Sequence, residues 1–482
     1  MDRRFEARKR ELLEDCQVRP EVFEDLVERL EIFATPFVEC FVRSEQVQHG
    51  QTYLQGLLSD LCRKNSESIA YRHDSDRMGL QLFIGKSPWD YRPLLHELAF
   101  QVGHELGEAD GVISFDPSAF QKKGNSSAGV QRQWCGRLGK IENCQVGIFM
   151  GYASRAEQAL VNMKLYLPKK WAQDKKRRKQ CGVPKEVRYQ TRHQLSLEML
   201  RECGDRLPHA WVTGDDEMGR PYGFRRDLND MGEQYLLEVP SNTLIRDQEA
   251  DPPAYHGHGR RPMVSFRRVS RWRESLPENA WTQIEVRDGE KGPIVVEAVK
   301  CRVCARTATG GTAPEEILVL VRSYDETRTL KHDSYLSNAP YETPLKEFAR
   351  VSIAHRRIEQ CIQRGKSEAG LADYQVRTWK GWHHHVTLSL IATWFLVSES
   401  RREKKNGPRR SPSLKFAQAW LICCMQPHVA TLPSGSPRYA LAGWNETNLQ
   451  GSITTNDLNT YPDESSINGN KLNSRIRKRG FY

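Results

Sequence analysis

The sequence predicts an α/β fold in which a mixed sheet is flanked by helices, with a helical N-terminal domain before it and a β-rich insertion within it. Residues 1–108 carry amphipathic helical periodicity and almost no strand pattern. Residues 109–240 alternate β-favouring runs with helical segments, which is typical of a sheet covered by helices. A second group of strand-like runs separates this region from two long helical segments after residue 342.

The N-terminal region, residues 1–108, is rich in charged segments whose apolar residues recur at helical spacing. Examples are EVFEDLVERLEIFATPFVECF, TYLQGLLSDLCRKN and PLLHELAFQVGHEL. Because strand-like alternation is nearly missing, we predict a helical domain here.

The region 109–240 predicts the element order β-β-β-α-β-α-β. Its first strand, VISFD, is expected to stop at Pro117, because proline cannot donate to a strand ladder. The runs NCQVGIFMGYAS and QALVNMKLYLP are expected to follow as antiparallel neighbours. A helix around RHQLSLEMLREC, the strand in HAWVTGDD, a helix from Tyr222 and the strand QYLLEVP complete the order.

Residues 241–342 predict the β-rich insertion, with runs such as GPIVVEAVKCRVCA and EEILVLVRSYD. Residues 343–400 predict two helices, one from Thr343 to Gly370 and one over WHHHVTLSLIATWFLVSES. Residues 401–482 begin with the basic stretch RREKKNGPRR and become rich in Asn, Ser, Thr and Gly. This composition predicts a basic linker and a disordered tail.

Composition narrows the possible partners and compartments. The 482 residues include 72 Lys and Arg against 61 Asp and Glu, a net charge of +11 that favours a polyanionic partner such as nucleic acid. The longest apolar run, VTLSLIATWFLV, is shorter than the ~20 residues of a membrane span, so no membrane association and a cytoplasmic location are expected. The 12 cysteines, including the adjacent Cys423 and Cys424, have no disulfide-framework spacing, which favours reduced thiols.

Acids follow two of the predicted strands. Asp116 comes directly after VISF, and Asp215 follows the strand that starts at Ala210. Adjacent strands lie ~4.8 Å apart, so these carboxylates could share a divalent cation if the two strands are neighbours. The alternatives stay open at this point: Asp116 could cap a turn, and the run 215–217 could simply charge the N-terminus of the next helix.

A third acid lies on the predicted helix after residue 343. One face of this helix is polar and the opposite face is small and apolar, so the apolar face is suited to packing on a sheet, with a glycine for close approach. A solvated charged face would have the same pattern. The polar face carries His355, Glu359, Gln363 and Lys366, and the apolar face carries Ala354, Ile358, Cys361 and Gly365.

Three segments together resemble a known family. They are FDPSAFQKKGNSSAGVQRQWCGRLGKIENCQVGI around the first acid, WVTGDDEMGR around the second, and RRIEQCIQRGKSEAGLADYQVRTWKGWHHHVTL around the third. They resemble the Asp-Asp-Glu (DDE) transposases of bacterial insertion sequences, in the group with a β-rich insertion between the second Asp and the Glu. In that pattern Asp is followed four residues later by Gly, which selects Asp215 over Asp216.

The resemblance implies a ribonuclease H-like fold and a DNA transposase. Asp116, Asp215 and Glu359 would be the catalytic acids and would bind two Mg²⁺ or Mn²⁺ ions for cleavage at the element ends and strand transfer into target DNA. The N-terminal domain would bind the terminal inverted repeats. The expected partner is double-stranded DNA, both repeats and target, with a homodimer in the DNA complex as one candidate assembly and a nucleoid-associated location.

The resemblance also implies DNA contacts, and the two Trp residues of the insertion are candidates for stacking on a flipped base; core packing is the alternative for both. Basic stretches such as KKRRK, residues 175–179, could bind phosphates or form a solvated face. The implied phosphate-binding residues are Lys122, Lys123, Arg132, Arg137, Lys140, Lys366 and Arg377, and the candidate stacking residues are Trp272 and Trp281.

The sequence departs from the family pattern at a few positions. Pro117 and Ser118 stand where an acid or Thr is usual, Met218 where Tyr is common, and His355 where Arg is common. Two rivals therefore stay open: an inactive transposase-derived DNA-binding protein, and a metal-dependent nuclease that does not join strands. The pair in CRVC and the histidine run 383–385 are not favoured as metal sites, because the first lacks a second pair and consecutive helical residues point about 100° apart.

Overall fold

The computed structural model describes residues 25–59, 61–259, 261–289, 292–324 and 329–406. The predicted disordered tail from residue 407, with Cys423 and Cys424, lies outside these described residues. Residues 401–406, which begin the predicted basic linker, instead continue the last helix.

The described part of the N-terminal segment, residues 25–59 and 61–108, contains five helices. Two of them begin with side-chain caps, because the Asn65 carboxamide accepts from the backbone N–H groups of Glu67 and Ser68, and the Asp76 carboxylate accepts from those of Met78 and Gly79. The helices are α1 (Leu26–Val38), α2 (Ser44–Leu57), α3 (Ser66–Arg72), α4 (Arg77–Gly85) and α5 (Arg92–Leu106).

The central region follows the predicted order, with one additional strand and three additional short helices. The additional strand is β2, a five-residue segment between glycine-containing turns that is too short to give a periodic pattern. The elements are β1 (Val112–Gln121), β2 (Gln131–Cys135), β3 (Lys140–Ala153), β4 (Gln158–Leu165), α6 (Lys169–Gln173), α7 (Lys175–Gln180), α8 (Arg192–Cys203), β5 (Trp211–Gly214), α9 (Asp216–Gly219), α10 (Tyr222–Asp230) and β6 (Tyr235–Glu238). The additional short helices are α6, α7 and α9.

Strand pairing confirms the predicted antiparallel start, since β3 lies between β1 and β4 and is antiparallel to both. On its other edge β1 is parallel to β5, which is in turn parallel to β6. The sheet is therefore mixed, and helices flank it, as the sequence predicts. The three parallel strands β1, β5 and β6 bring their carboxyl ends to one edge.

The β-rich insertion extends this sheet. Strand β12 is antiparallel to β6, so the twelve strands form one sheet with the path β2-β3-β1-β5-β6-β12-β11-β10-β7-β8, while β4 pairs with β3 and β9 with β10. The elements are β7 (Leu244–Asp247), β8 (Arg267–Arg268), α11 (Val269–Glu274), β9 (Thr282–Gly289), β10 (Gly292–Arg306), β11 (Thr312–Tyr324) and β12 (Leu330–Ser337).

Two long helices, α12 (Leu345–Glu368) and α13 (Trp379–Asn406), complete the described fold. One apolar cluster runs from Leu26 in α1 through the sheet to Val397 in α13, so the N-terminal helices share a core with the sheet. A second cluster lies within the insertion and includes Trp272. No helix among the described residues has both the length and the apolar character needed to cross a membrane.

The histidine run in α13 joins the N-terminal helices to this core. The Tyr53 hydroxyl lies 2.8 Å from His385 Nδ1, and the His384 ring stacks on Trp89 with centroids 3.6 Å apart. His383 Nδ1 lies 2.9 Å from the backbone carbonyl oxygen of Trp379. The three buried histidine rings thus take part in core packing and in hydrogen bonds within the protein.

Candidate active site

Asp116 lies inside β1, at the point where its neighbour β5 ends. Phe115 pairs with Gly214 and is the last residue of β1 in register with β5. The expectation that Pro117 ends the strand is wrong, because β1 continues to Gln121 while paired with β3. A proline is tolerated there since the β5 edge of β1 has no partner beyond Phe115. Asp116 is therefore the first residue of β1 after its pairing with β5 ends.

Asp215 follows β5 directly and caps the short helix α9. Its Oδ1 accepts a hydrogen bond of 3.0 Å from the backbone N–H of Met218. Capping occupies one carboxylate oxygen, so it does not exclude a second role for the side chain. The next acids along the chain are engaged elsewhere: Glu217 Oε1, for example, accepts from Arg192 at 2.7 Å.

Glu359 lies on α12, which packs its apolar face on the sheet as predicted. The close approach occurs at Gly151 of β3, where an added Cβ would lie 2.6 Å from the Ile358 side chain. Gly365, expected to permit that approach, instead faces Leu371 and the α13 residue Thr393, where an added Cβ would lie 3.2 and 3.3 Å from their side chains. The Glu359 side chain is 55% exposed.

All three acids border one cavity of about 690 Å³. Among the described residues, no three Asp, Glu, His or Cys side chains lie close enough together to hold a metal ion. The structure therefore brings Asp116, Asp215 and Glu359 to a common cavity and leaves them outside a common coordination sphere. The other lining residues are Pro117, Ser118, Ala119, Gly136, Gln360, Gln363, Arg364 and Lys366.

Burial has the largest effect on the electrostatics of the acids in this cavity, and repulsion between neighbouring carboxylates adds to it. Burial raises the pKa of Asp116 well above its usual value, and Asp215 and Glu359 raise it further, while Lys366 opposes them. Burial and the neighbouring Glu217 raise the pKa of Asp215 to about 7, and burial raises the pKa of Glu359. Hard oxygen donors that repel one another suit divalent Mg²⁺ or Mn²⁺, so the donor chemistry fits such ions.

Among the predicted DNA-binding residues whose side chains are described, Lys366 lines the acid cavity. Its Nζ donates to Ser118 Oγ at 2.7 Å and lies 5.0 Å from the centre of the Phe120 ring. A second cation, Arg364, lines the same cavity and was not predicted. The sequence carried no spacing signal for it, because residues two apart on a helix point about 200° from each other.

The other predicted basic residues whose side chains the structure describes do not line this cavity. Lys122 is partly buried, with its Nζ 3.5 Å from the centre of the Tyr374 ring, and burial lowers its pKa to about 8. The side chain of Arg137 is outside the described part of the structure. The exposed members are Lys123, Arg132, Lys140 and Arg377.

A second cavity, of about 660 Å³, adjoins the acid cavity because Pro117, Ala119, Gly136 and Asp215 border both. Trp134 of β2 lines it and is 57% exposed, as is Ile141, its cross-strand partner on β3. Sequence reasoning missed Trp134. Its signal was weak: an aromatic residue two positions after Arg132, in a strand too short to show alternation.

Two further acids lie beside the candidate site and were also missed. Leu237 of β6 pairs with Gly214 of β5, so Glu238, the last residue of β6, lies level with Asp215. Burial and the nearby Asp333 raise the pKa of Glu238 to about 8. Asp333 itself is ion-paired with Arg356 of α12. Only the pairing of β6 with β12 from the insertion brings these groups together.

The two tryptophans proposed for base stacking occupy different environments. Trp272 is 4% exposed and its Nε1 donates to Asp247 at 2.8 Å, which leaves no open ring face for a base. Trp281 is partly buried, and the Arg322 guanidinium lies 4.3 Å from its ring centre. Trp272 is therefore a core residue of the insertion, and Trp281 stays a candidate.

The pair of cysteines in CRVC lies in β10. The Cys301 thiol donates to Asp247 Oδ1 at 3.2 Å and is buried. Residues three apart on a strand face opposite sides of the sheet, so the Cys304 thiol lies on the face opposite to the Cys301 thiol. All nine cysteines within the described ranges are free thiols.

Comparisons with known proteins agree with this geometry. Residues 36–293 match the family described as DDE superfamily endonuclease, a stretch that contains Asp116 and Asp215 and ends before Glu359. A segment of 105 residues is 37% identical to the probable transposase for insertion sequence element IS701 of Microchaete diplosiphon. That similarity covers 20% of this chain and 27% of the relative, so it spans about a quarter of the relative's length.

Proposed function

The chain belongs to the DDE superfamily of endonucleases, and from this premise we propose that it is the transposase of an insertion sequence. It cleaves DNA at the ends of the element and transfers the cut strands into target DNA. The observation that carries the proposal is the meeting of Asp116, Asp215 and Glu359 at one cavity, from two neighbouring parallel strands and the helix packed on them. The sequence similarity to a probable transposase supports it.

Superfamily nucleases of this type generally use divalent metal ions. We assign Asp116, Asp215 and Glu359 as the residues that would hold two Mg²⁺ or Mn²⁺ ions, because carboxylate oxygens are the donors these ions prefer. When bound, such ions activate the attacking water or 3′-hydroxyl and stabilise the leaving oxygen of a phosphodiester. Asp116 and Asp215 serve from the sheet side of the cavity, and Glu359 serves from α12.

The cations of the cavity would bind the phosphates of the substrate. Lys366 supplies a point charge beside Ser118, and Arg364 supplies a planar fork that suits two phosphate oxygens. Lys366 lies seven residues from Glu359 on α12, about 10 Å along the helix, so it would contact a phosphate next to the one that reacts. These residues position the DNA strand.

DNA outside the cavity would lie on the exposed basic residues Lys123, Arg132, Lys140 and Arg377, with Lys122 and Arg137 as further candidates. The helical segment before residue 109 would bind the terminal inverted repeats. The substrate is then double-stranded DNA, both repeats and target, and a homodimer would bring two element ends together. Such a protein would act on the nucleoid in the cytoplasm.

The experiment is cleavage and joining by the purified full chain. A labelled duplex that carries the inverted repeat flanking the coding region, and a supercoiled target, are incubated in Mg²⁺. We expect cut ends and joined products, and neither with Asp116→Asn. Cleavage without joining would identify a nuclease, and repeat-specific binding without cleavage would identify a transposase-derived binding protein. Either result would overturn the proposal.

A further inference from the structure

His355 lies between the first strand of the candidate site and Glu359. It is 3% exposed, and its Nδ1 lies 2.8 Å from the hydroxyl oxygen of Ser114 on β1. Its Nε2 lies 3.9 Å from Glu359 Oε1, one helical turn further along α12. Ser114 precedes Asp116 by two residues and therefore lies on the same face of β1.

The Nε2 atom of His355 is buried and has no hydrogen-bond partner in the described structure. Other buried histidines of this chain differ: both ring nitrogens of His384 lie within 3.0 Å of backbone carbonyl oxygens, and both of His385 have partners. A buried polar atom without a partner is unfavourable. The nearest acidic group to which Nε2 is directed is the Glu359 carboxylate.

The position of the proton follows from these neighbours. A neutral imidazole carries a single N–H, on either Nδ1 or Nε2. With the proton on Nδ1, the Nε2 lone pair would face a carboxylate, which is repulsive. With the Ser114 hydroxyl donating to Nδ1, the proton is on Nε2 and faces that carboxylate as a donor.

We propose that His355 is a positioning residue for Glu359: its Nε2–H donates to the Glu359 carboxylate and holds it over the cavity shared with Asp116 and Asp215. The bond requires the carboxylate to approach by about 1 Å, to the usual N–H···O distance of about 2.9 Å. Since the Glu359 side chain is half exposed, rotation of the side chain permits this movement. Ser114 fixes the tautomer from the strand that carries Asp116.

The inference rests on the proposed function, because it assigns His355 a role toward the ions that the acids would hold. Partners that orient a metal-binding side chain typically change metal affinity by 10–100-fold when they are removed. Loss of the His355 donor should therefore weaken binding of the divalent ion and leave the DNA contacts in place.

The test compares His355→Met with His355→Gln in the full chain, since the two side chains are similar in length and only Gln can donate from an N–H. Mn²⁺ affinity is measured by titration calorimetry, and the Mg²⁺ concentration for half-maximal cleavage is measured separately. We expect His355→Met to raise the Mn²⁺ dissociation constant and the Mg²⁺ concentration for half-maximal cleavage, each by about tenfold. We expect His355→Gln to restore them to within about threefold of wild type, with DNA affinity unchanged in both variants.

Equal metal affinities in the Met and Gln variants would overturn the inference and leave His355 a packing residue. If His355→Met does not fold, Ser114→Ala decides: it keeps the ring and removes the group that fixes the tautomer. A several-fold rise in Mg²⁺ requirement supports the role, and an unchanged requirement overturns it. If the wild-type chain itself neither binds Mn²⁺ nor cleaves DNA, the proposed function is wrong. That result differs from failure of the His355 inference alone, in which the wild-type chain binds metal and cleaves DNA.

Discussion

Asp116 and Asp215 lie side by side at two neighbouring parallel strands. Each comes directly after the last paired position of the two strands, where Phe115 of β1 pairs with Gly214 of β5. Asp116 is held by its pairing with Phe149 of β3, and Asp215 is held between the end of β5 and the short helix α9 that it caps. Glu359 reaches the same cavity from α12, whose Ile358 packs against Gly151 of β3. The site therefore combines two rigid acids from the sheet with one half-exposed acid from a helix.

If these three acids carry the chemistry, each neutral isostere should remove cleavage. Asp116→Asn, Asp215→Asn and Glu359→Gln are each expected to lower the cleavage rate by about 10³-fold, corresponding to about 4 kcal/mol of activation free energy. DNA binding, measured by fluorescence anisotropy, should stay near wild type because the phosphate contacts are made by other residues.

Asp216→Asn is the matched control, since Asp216 is an exposed partner of Arg220 at 3.2 Å and should retain most activity when changed. Cleavage by Glu359→Gln at near wild-type rates in Mg²⁺ would show that the assignment is wrong. Glu368, the next acid on α12, is 5% exposed and ion-paired with Arg364, so it is a poor substitute.

The free energy of unfolding should decrease as pH rises, because of Glu238. Its pKa is about 8 in the folded protein and about 4.3 in an unfolded chain, so between these values the folded state binds more protons. The stabilisation is complete below pH 4 and is lost as pH rises through 8. With a chelator present, Glu238→Gln should match wild type near pH 5 and melt about 2 °C higher at pH 8.

Glu278→Gln is the control for this pH series. The ion pair with Arg322 lowers the pKa of Glu278, so any contribution of this group is lost only below about pH 4, outside the range from pH 5 to pH 8. A Glu238→Gln variant whose melting temperature kept the wild-type slope over this range would contradict the assignment of that slope to Glu238.

The basic helix α7 buries none of its side chains, so its lysines are candidates for contact with DNA phosphates. Arg177 and Arg178 have structural contacts: the first lies 3.8 Å from the centre of the Trp171 ring, and the second donates to the Pro184 carbonyl oxygen at 2.7 Å. Changing only the lysines at 175, 176 and 179 to Gln should reduce the slope of log affinity against log salt by up to about 2.7. An unchanged slope would remove this helix from the DNA interface.

The two tryptophans of the insertion should respond differently to truncation. Trp272→Ala is expected to destabilise the fold by about 3–5 kcal/mol, measured by chemical denaturation, because it empties part of a buried core. Trp281→Ala should fold and make the first nick, and should slow a later cleavage step about tenfold if the ring stacks on a base. Aggregation of Trp281→Ala would instead indicate that this ring is needed for packing.

The sequence by itself determined the elements and the identity of the candidate acids. Alternation and helical periodicity predicted β1, β3, β4, β5 and β6 and the long helices, because these patterns report which face of each element is buried. The resemblance singled out Asp116, Asp215 and Glu359, and the structure brings them to one cavity. Periodicity does not say what covers the buried face.

Tertiary structure alone decided which elements meet. The insertion could have formed its own sheet, yet β12 pairs with β6 and brings Asp333 beside Glu238. The N-terminal helices could have packed among themselves, yet they share a core with α13 through the histidine run. The contact of His355 with Ser114 joins residues 241 positions apart. Such pairings depend on the shape and burial of whole surfaces, and no local pattern of side chains encodes them.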